Sequence, residues 1–171
     1  EKRDGIVLKW LNFDFPIENK AEIVNTFKNA FSEKTKVVHI THMINWMGQV
    51  LPAREIADEA KKRGIEVLVD AAHSFVHIDF KISDLNCDYF GSSLHKWLCA
   101  PFGSGMLYVQ KDKIKNLYPL FAGNDPESDN IRKFESLGTR SFAIEQAIGE
   151  AINFHHMIGM ERKTRSEEHT S

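Results

Sequence analysis

Lys96 sits in Ser92-Ser93-Leu94-His95-Lys96-Trp97, between the apolar runs Asp88-Tyr89-Phe90 and Met106-Leu107-Tyr108-Val109. Both runs read as short buried strands. A lysine at the turn between two such strands stands on a rigid frame, here with a histidine and two hydroxyls beside it. Its amine becomes a nucleophile when partial burial and polar neighbours lower its pKa, and its characteristic product is a Schiff base. On this stretch alone, a surface hairpin lysine explains the residues equally well.

A second stretch changes the balance. Gly64-Ile65-Glu66-Val67-Leu68-Val69 is a β-branched run that ends in Asp70-Ala71-Ala72-His73-Ser74. In open parallel α/β sheets, ligands bind at the carboxyl ends of the strands. A carboxylate there, with an imine-forming lysine farther on, matches the two ends of a pyridoxal phosphate (PLP) ring. The lysine takes the aldehyde, and the aspartate keeps the pyridine nitrogen protonated so that the ring works as an electron sink. The alternative is a turn or helix-capping Asp70.

The ordered set VDAAHS followed by YFGSSLHKWLCAPFGSGMLYV resembles the class V, fold-type I, PLP-dependent aminotransferases. That family includes cysteine desulfurases and isopenicillin-N-epimerase-like enzymes, and the HKW-x-x-AP-x-G-x-G form looks closest to the latter. The resemblance runs from about Val37 to Arg140. It implies that Lys96 holds PLP as an internal aldimine and, once freed by a substrate amine, moves the Cα proton, while Asp70 partners the pyridine nitrogen.

By the same resemblance, His73 touches the cofactor's phenolic oxygen or neighbours the imine, Asn45 donates to that oxygen, and Ser93 and His95 hold the phosphate. Gly138-Thr139-Arg140 resembles a segment that reaches across a homodimer, which would place Thr139 at the partner subunit's cofactor. Each has a plainer alternative: a loop histidine bound to backbone, a turn asparagine, Ser92 in place of Ser93, a helix cap around Thr139. His42 reads as structural, and Pro101-Phe102-Gly103-Ser104-Gly105 as a turn that lets the chain pass close to the cofactor. The expected function is a PLP-dependent enzyme acting on an amino acid, with transaminase, epimerase and lyase outcomes all open. An inert PLP-binding protein or a non-functional fragment is the other reading. Cys99, beside the lysine turn, is a poor substitute for the mobile cysteine a desulfurase needs.

The elements that must position these residues alternate. The apolar run 6–13 reads as a strand, 18–32 as an amphipathic helix through Ile23, Phe27, Ala30 and Phe31, and 36–42 as a strand. Pro52 to Arg63 reads as a helix stopped by Gly64, followed by the strand into Asp70. After the Lys96 hairpin come a short helix over 111–118, a polar loop over 122–130 and a long helix from Ser141 to about Lys163. Strand-helix alternation builds a parallel sheet with right-handed crossovers. The expected fold is α/β, a three-layer, mainly parallel sheet flanked by helices. The resemblance makes residues 1–120 the later half of the large PLP domain and 121–164 the link towards a small domain. The polar tail 165–171 reads as a translated sequencing adapter, and the chain as cut at both ends.

Composition excludes several classes. The 171 residues are 42% hydrophobic and 27% charged, with a formal net charge of −2, which suits a globular chain. No basic run points to nucleic acid, and no apolar run approaches a membrane span. Two cysteines, Cys87 and Cys99, have no metal spacing and suit a reducing, cytoplasmic setting, with burial their expected role. His73 and His77 have metal-ligand spacing, but Ser74 stands where a hydrolase's glutamate base belongs. Neither a Gly-x-Ser-x-Gly elbow nor a Gly-x-Gly-x-x-Gly loop is present.

Overall fold

The sheet is built on β-branched residues buried at every second position of its first two strands. Its strands are β1 (Val37–Thr41), β2 (Glu66–Asp70), β3 (Tyr89–Ser93) and β4 (Gly105–Val109), in the order β1-β2-β3-β4. The first three are parallel, with Ile40 opposite Val69 and Val69 opposite Phe90. β4 returns antiparallel, with Gly105 opposite Ser93. The computed structural model describes residues 4–163 except 122, 124 and 140. Arg140 and the tail 165–171 therefore lie outside the described residues.

One sheet face turns Val38, Ile40, Val67, Val69 and Phe90 into the main core. Helix α1 (Lys20–Ala30) adds Ile23 and Phe27, and α2 (Ala53–Lys61) adds Ile56, Ala57 and Ala60. Each large apolar side chain so buried contributes about 1.5–3 kcal/mol. Asn19 caps α1 by accepting from the Ala21 amide at 3.0 Å. Pro52 stands at the cap position before α2, and Gly64 lets the chain leave it at φ +67°. On the other face Tyr89, Val109 and Ile114 pack with Leu68, Leu117 and Phe134, supplied in part by short 3-10 turns at Lys111–Asn116 and Ile131–Glu135. Helix α3 (Phe142–Ile158) lays Ala151 and Ile148 on Leu94, Leu98 and Ala100, the apolar underside of the Lys96 loop. The mainly parallel sheet flanked by helices is as the sequence implies.

The two ends of the sheet differ in chemistry. At the amino end, Asp88 is buried (1% exposed); it bonds Lys61 Nζ at 2.5 Å and accepts from the Val67 amide at 2.7 Å. Glu66 beside it takes Lys113 Nζ at 2.9 Å and the Tyr89 hydroxyl at 2.8 Å. These carboxylates are fully engaged in joining β2, β3 and α2. At the carboxyl end, β1, β2 and β3 stop at Thr41, Asp70 and Ser93, and the loops that follow converge.

Four expectations about elements are corrected. Residues 6–13 form no strand: among the described residues the run has no ladder partner, and Ile6, Val7, Leu8 and Trp10 are exposed. β4 is only partly buried; as an edge strand it packs Val109 inward but leaves Leu107 and Tyr108 exposed. Cys87 is buried but Cys99 is exposed, because the chain turns outward there at φ +59°. The last helix ends at Ile158, where Gly159 takes φ +78°, and helical turns resume over 160–163. Among the described residues no helix is long and apolar enough to cross a membrane.

Candidate active site

Lys96 is held by its own loop. The Leu94 amide bonds the Ser104 carbonyl, Lys96 N the Ser93 carbonyl, Cys99 N the Lys96 carbonyl and Ala100 N the Leu94 carbonyl, at 3.1–3.4 Å. Leu94, Leu98 and Ala100 point into the cluster under α3, which leaves Lys96 half-buried on the opposite side. Gly103 at φ +84° and the Ser104 hydroxyl, bonded to the Pro101 carbonyl at 2.7 Å, make the return turn into β4. The hairpin lysine is therefore not a freely solvated one.

Lys96 reaches across to the loop after β2. Its Nζ donates to His73 Nε2 at 2.8 Å. Opposite a lysine ammonium, which can only donate, Nε2 accepts and a neutral ring carries its proton on Nδ1. Burial lowers the His73 pKa below the ordinary histidine value, and the nearby Lys96 charge lowers it further against an opposing pull from Asp70. Asp70 ends β2, with Oδ1 accepting from the Ala72 amide at 2.9 Å, so it is also a turn-forming aspartate. Carboxylate, imidazole and amine thus share the carboxyl edge of the sheet, as a lysine-carboxylate site requires.

The neighbouring serines separate by pleat. Ser92 is buried and its hydroxyl donates to the Ala71 carbonyl at 3.4 Å. Ser93 stands on the other face, half-buried, with no hydrogen bond to its hydroxyl among the described residues. His95 lies against Phe102, ring centroids 5.3 Å apart, and its Nδ1 is buried without a partner. A buried ring nitrogen without a partner is costly unless a ligand fills the place.

Asn45 and Thr139 are different. Both are exposed, Asn45 on the turn after β1 and Thr139 on the segment before α3. Among the described residues neither hydrogen-bonds Lys96 or His73. Thr139 is not the cap of α3; Ser141 holds that position. His42 is structural as expected: buried, its Nδ1 lies 2.9 Å from the Ser74 hydroxyl, and burial pushes its pKa down to about 4. His73 and His77 form no metal group, and no cluster of three or more potential ligands occurs among the described residues.

The chain is similar to known proteins in sequence and in fold. The Aminotransferase class-V family matches residues 1–171. The chain belongs to that family. It is 35% identical to a probable cysteine desulfurase of Synechocystis sp. over 93% of this chain and 39% of that protein. It is 30% identical to the isopenicillin N epimerase of Streptomyces clavuligerus over 92% of this chain and 44% of the epimerase. The chain therefore spans about two-fifths of the length of these class V relatives. Among solved structures, a lysine-to-alanine mutant of C-DES with glycine covalently linked to its PLP cofactor superposes at a TM-score of 0.74, with 25% identity, covering 83% of this chain and 41% of that one. An apo cysteine desulfurase from Thermococcus onnurineus NA1 gives a TM-score of 0.72 at 25% identity, over 86% and 38% of the two chains.

PLP is the cofactor of this class V family, and the residues present fit it. The unpartnered His95 Nδ1 and the open Ser93 hydroxyl are donors suited to a phosphate. The Lys96 amine lies 2.8 Å from the His73 imidazole. These groups are legible from residue type and order in the sequence. The stack of His77 on Trp97 is not; its only local signal was an aromatic residue next to the lysine.

Proposed function

We propose that the protein carrying this segment is a PLP-dependent enzyme that acts on the amino group and Cα of an amino acid. The observation that carries the reading is the 2.8 Å contact of Lys96 Nζ with His73 at the carboxyl end of β2, next to Asp70. When bound, the cofactor would supply an aldehyde for the amine and a ring able to accept electrons from Cα. Ser93 and His95 would hold the phosphate, and Asp70 the ring nitrogen. Lys96 would anchor the cofactor and then move the Cα proton, with His73 Nε2 accepting a hydrogen bond that orients the amine.

Transamination, epimerisation and side-chain cleavage all use these same residues, so the reading covers the class of enzyme and not one outcome. Both a desulfurase and an epimerase stand among the relatives. Exposed Asn45 and Thr139 are available to a cofactor and to a second subunit, respectively. A homodimer with Thr139 reaching the partner's site is part of the proposal, as is a cytoplasmic setting for the two free thiols.

The test is reduction with borohydride of the PLP-loaded full-length protein that carries this segment, followed by peptide mass spectrometry. A pyridoxyl group on Lys96, absent from the Lys96→Ala variant, is the expected result. Label on another lysine, or none in folded protein, overturns the assignment.

A further inference from the structure

A ring stack and an ammonium bridge, both outside the proposed chemistry, join the two loops of the site. The loop after β2 carries His73 and His77; the loop after β3 carries Lys96 and Trp97. The His77 ring lies flat on the Trp97 indole, with centroids 3.5 Å apart and planes 18° from parallel. His77 Nδ1–H also donates to the His73 carbonyl at 2.9 Å. One ring thus holds the backbone of the residue that meets Lys96 and the side chain of the residue next to Lys96.

Beyond α3, the Lys163 ammonium ties the same two loops again. It donates to the Val76 carbonyl and, at 3.1 Å, to the Trp97 carbonyl. Val76 takes φ +62°, a conformation that β-branched residues rarely adopt and that persists only where the surroundings impose it. His155 Nε2–H adds a bond to the Leu98 carbonyl at 3.1 Å from the same helical side.

We propose that His77 and Trp97 form a latch, closed by Lys163, that sets the reach between Lys96 Nζ and His73 Nε2. The three are positioning residues. A lysine side chain has four rotatable bonds, so a single short contact at its tip persists only if the backbones on both sides are fixed. The stack and the ammonium bridge fix them from two directions. This inference deepens the Lys96 reading above and rests on it for its catalytic meaning.

The experiment follows the His73 titration by NMR in the full-length apo protein, with borohydride labelling of the PLP-loaded form alongside. The charged and titratable groups acting on His73 are Lys96, Asp70 and His77. Loss of Lys96 in Lys96→Ala therefore raises the His73 midpoint, and that rise calibrates proximity. Trp97→Leu, which keeps apolar bulk but loses the stack, is expected to raise the midpoint towards the Lys96→Ala value. Trp97→Phe, which keeps a ring, is expected to retain the wild-type midpoint. Lys163→Met is expected to raise it and Lys163→Arg to restore it; if the leucine variant does not fold, this pair carries the test. Trp10→Ala, at an indole 78% exposed, serves as the control.

A midpoint unmoved in folded Trp97→Leu and Lys163→Met overturns the latch, whether or not Lys96 takes the label. A midpoint that moves as described supports the latch, even if wild-type protein shows no label on Lys96 and the cofactor reading fails.

Discussion

Lys96 Nζ and His73 Nε2, 23 residues apart in sequence, meet at 2.8 Å across the carboxyl ends of two adjacent parallel strands. Because β2 and β3 pair directly, with Asp70 opposite Gly91, the loops that leave them emerge side by side. The contact makes each residue a sensor of the other. His73 is expected to titrate below the ordinary histidine range. Asp70→Asn is expected to lower its midpoint further, because Asp70 is the neighbour that raises it. Histidine NMR of the apo protein checks both; a midpoint that rises in Asp70→Asn would contradict the electrostatic picture.

His95 and Ser93 lead to a prediction about affinity. A hydrogen bond to a charged phosphate contributes about 1.5–3 kcal/mol, so His95→Ala is expected to weaken PLP binding about tenfold to a hundredfold. Ser93→Ala is expected to weaken it, and Ser92→Ala to leave it close to wild type, since the Ser92 hydroxyl is turned to the Ala71 carbonyl. Titration of apo protein with PLP, followed by absorbance, separates the two serines. Equal losses would mean that the pleat does not decide between them.

His42 makes stability depend on pH. Its pKa is depressed to about 4 in the fold and returns to about 6.5 in the unfolded chain. The unfolded state therefore binds the extra proton first. Stability is fully present above about pH 6.5 and falls as pH drops towards 4, by up to about 3 kcal/mol from this residue. Urea unfolding across that range is expected to show the slope, and His42→Gln to flatten it. An unchanged slope in the variant would assign the acid sensitivity elsewhere.

Asp88 anchors the other end of the sheet. Removing one member of a buried ion pair costs about 3–5 kcal/mol, and Asp88→Ala would also leave the Val67 amide without its acceptor. The expected result is a loss of that size in chemical denaturation, or failure to fold. Arg54→Ala breaks an exposed pair with Asp58 and an exposed bond to the Asp84 carbonyl and is expected to cost about 1 kcal/mol or less.

Sequence alone determined the alternating elements, the strand into Asp70, the glycine stop at Gly64, and the lysine flanked by Ser93 and His95. These are local signals: β-branched runs, helical spacing, turn residues and an ordered motif. The tertiary structure decided the rest. Residues 6–13 look like a strand because strand propensity is local, but a strand exists only where another offers its hydrogen bonds, and none does. β4 reads as a buried strand in sequence, yet lies at the edge and buries Val109 while leaving Leu107 and Tyr108 exposed. Ser92 and Ser93 are the same residue type, and only the pleat sends one into the core. Lys96 meets His73, and His77 covers Trp97, because parallel pairing sets two loops side by side. No spacing along the chain encodes those distances, which follow from the register of β2 against β3.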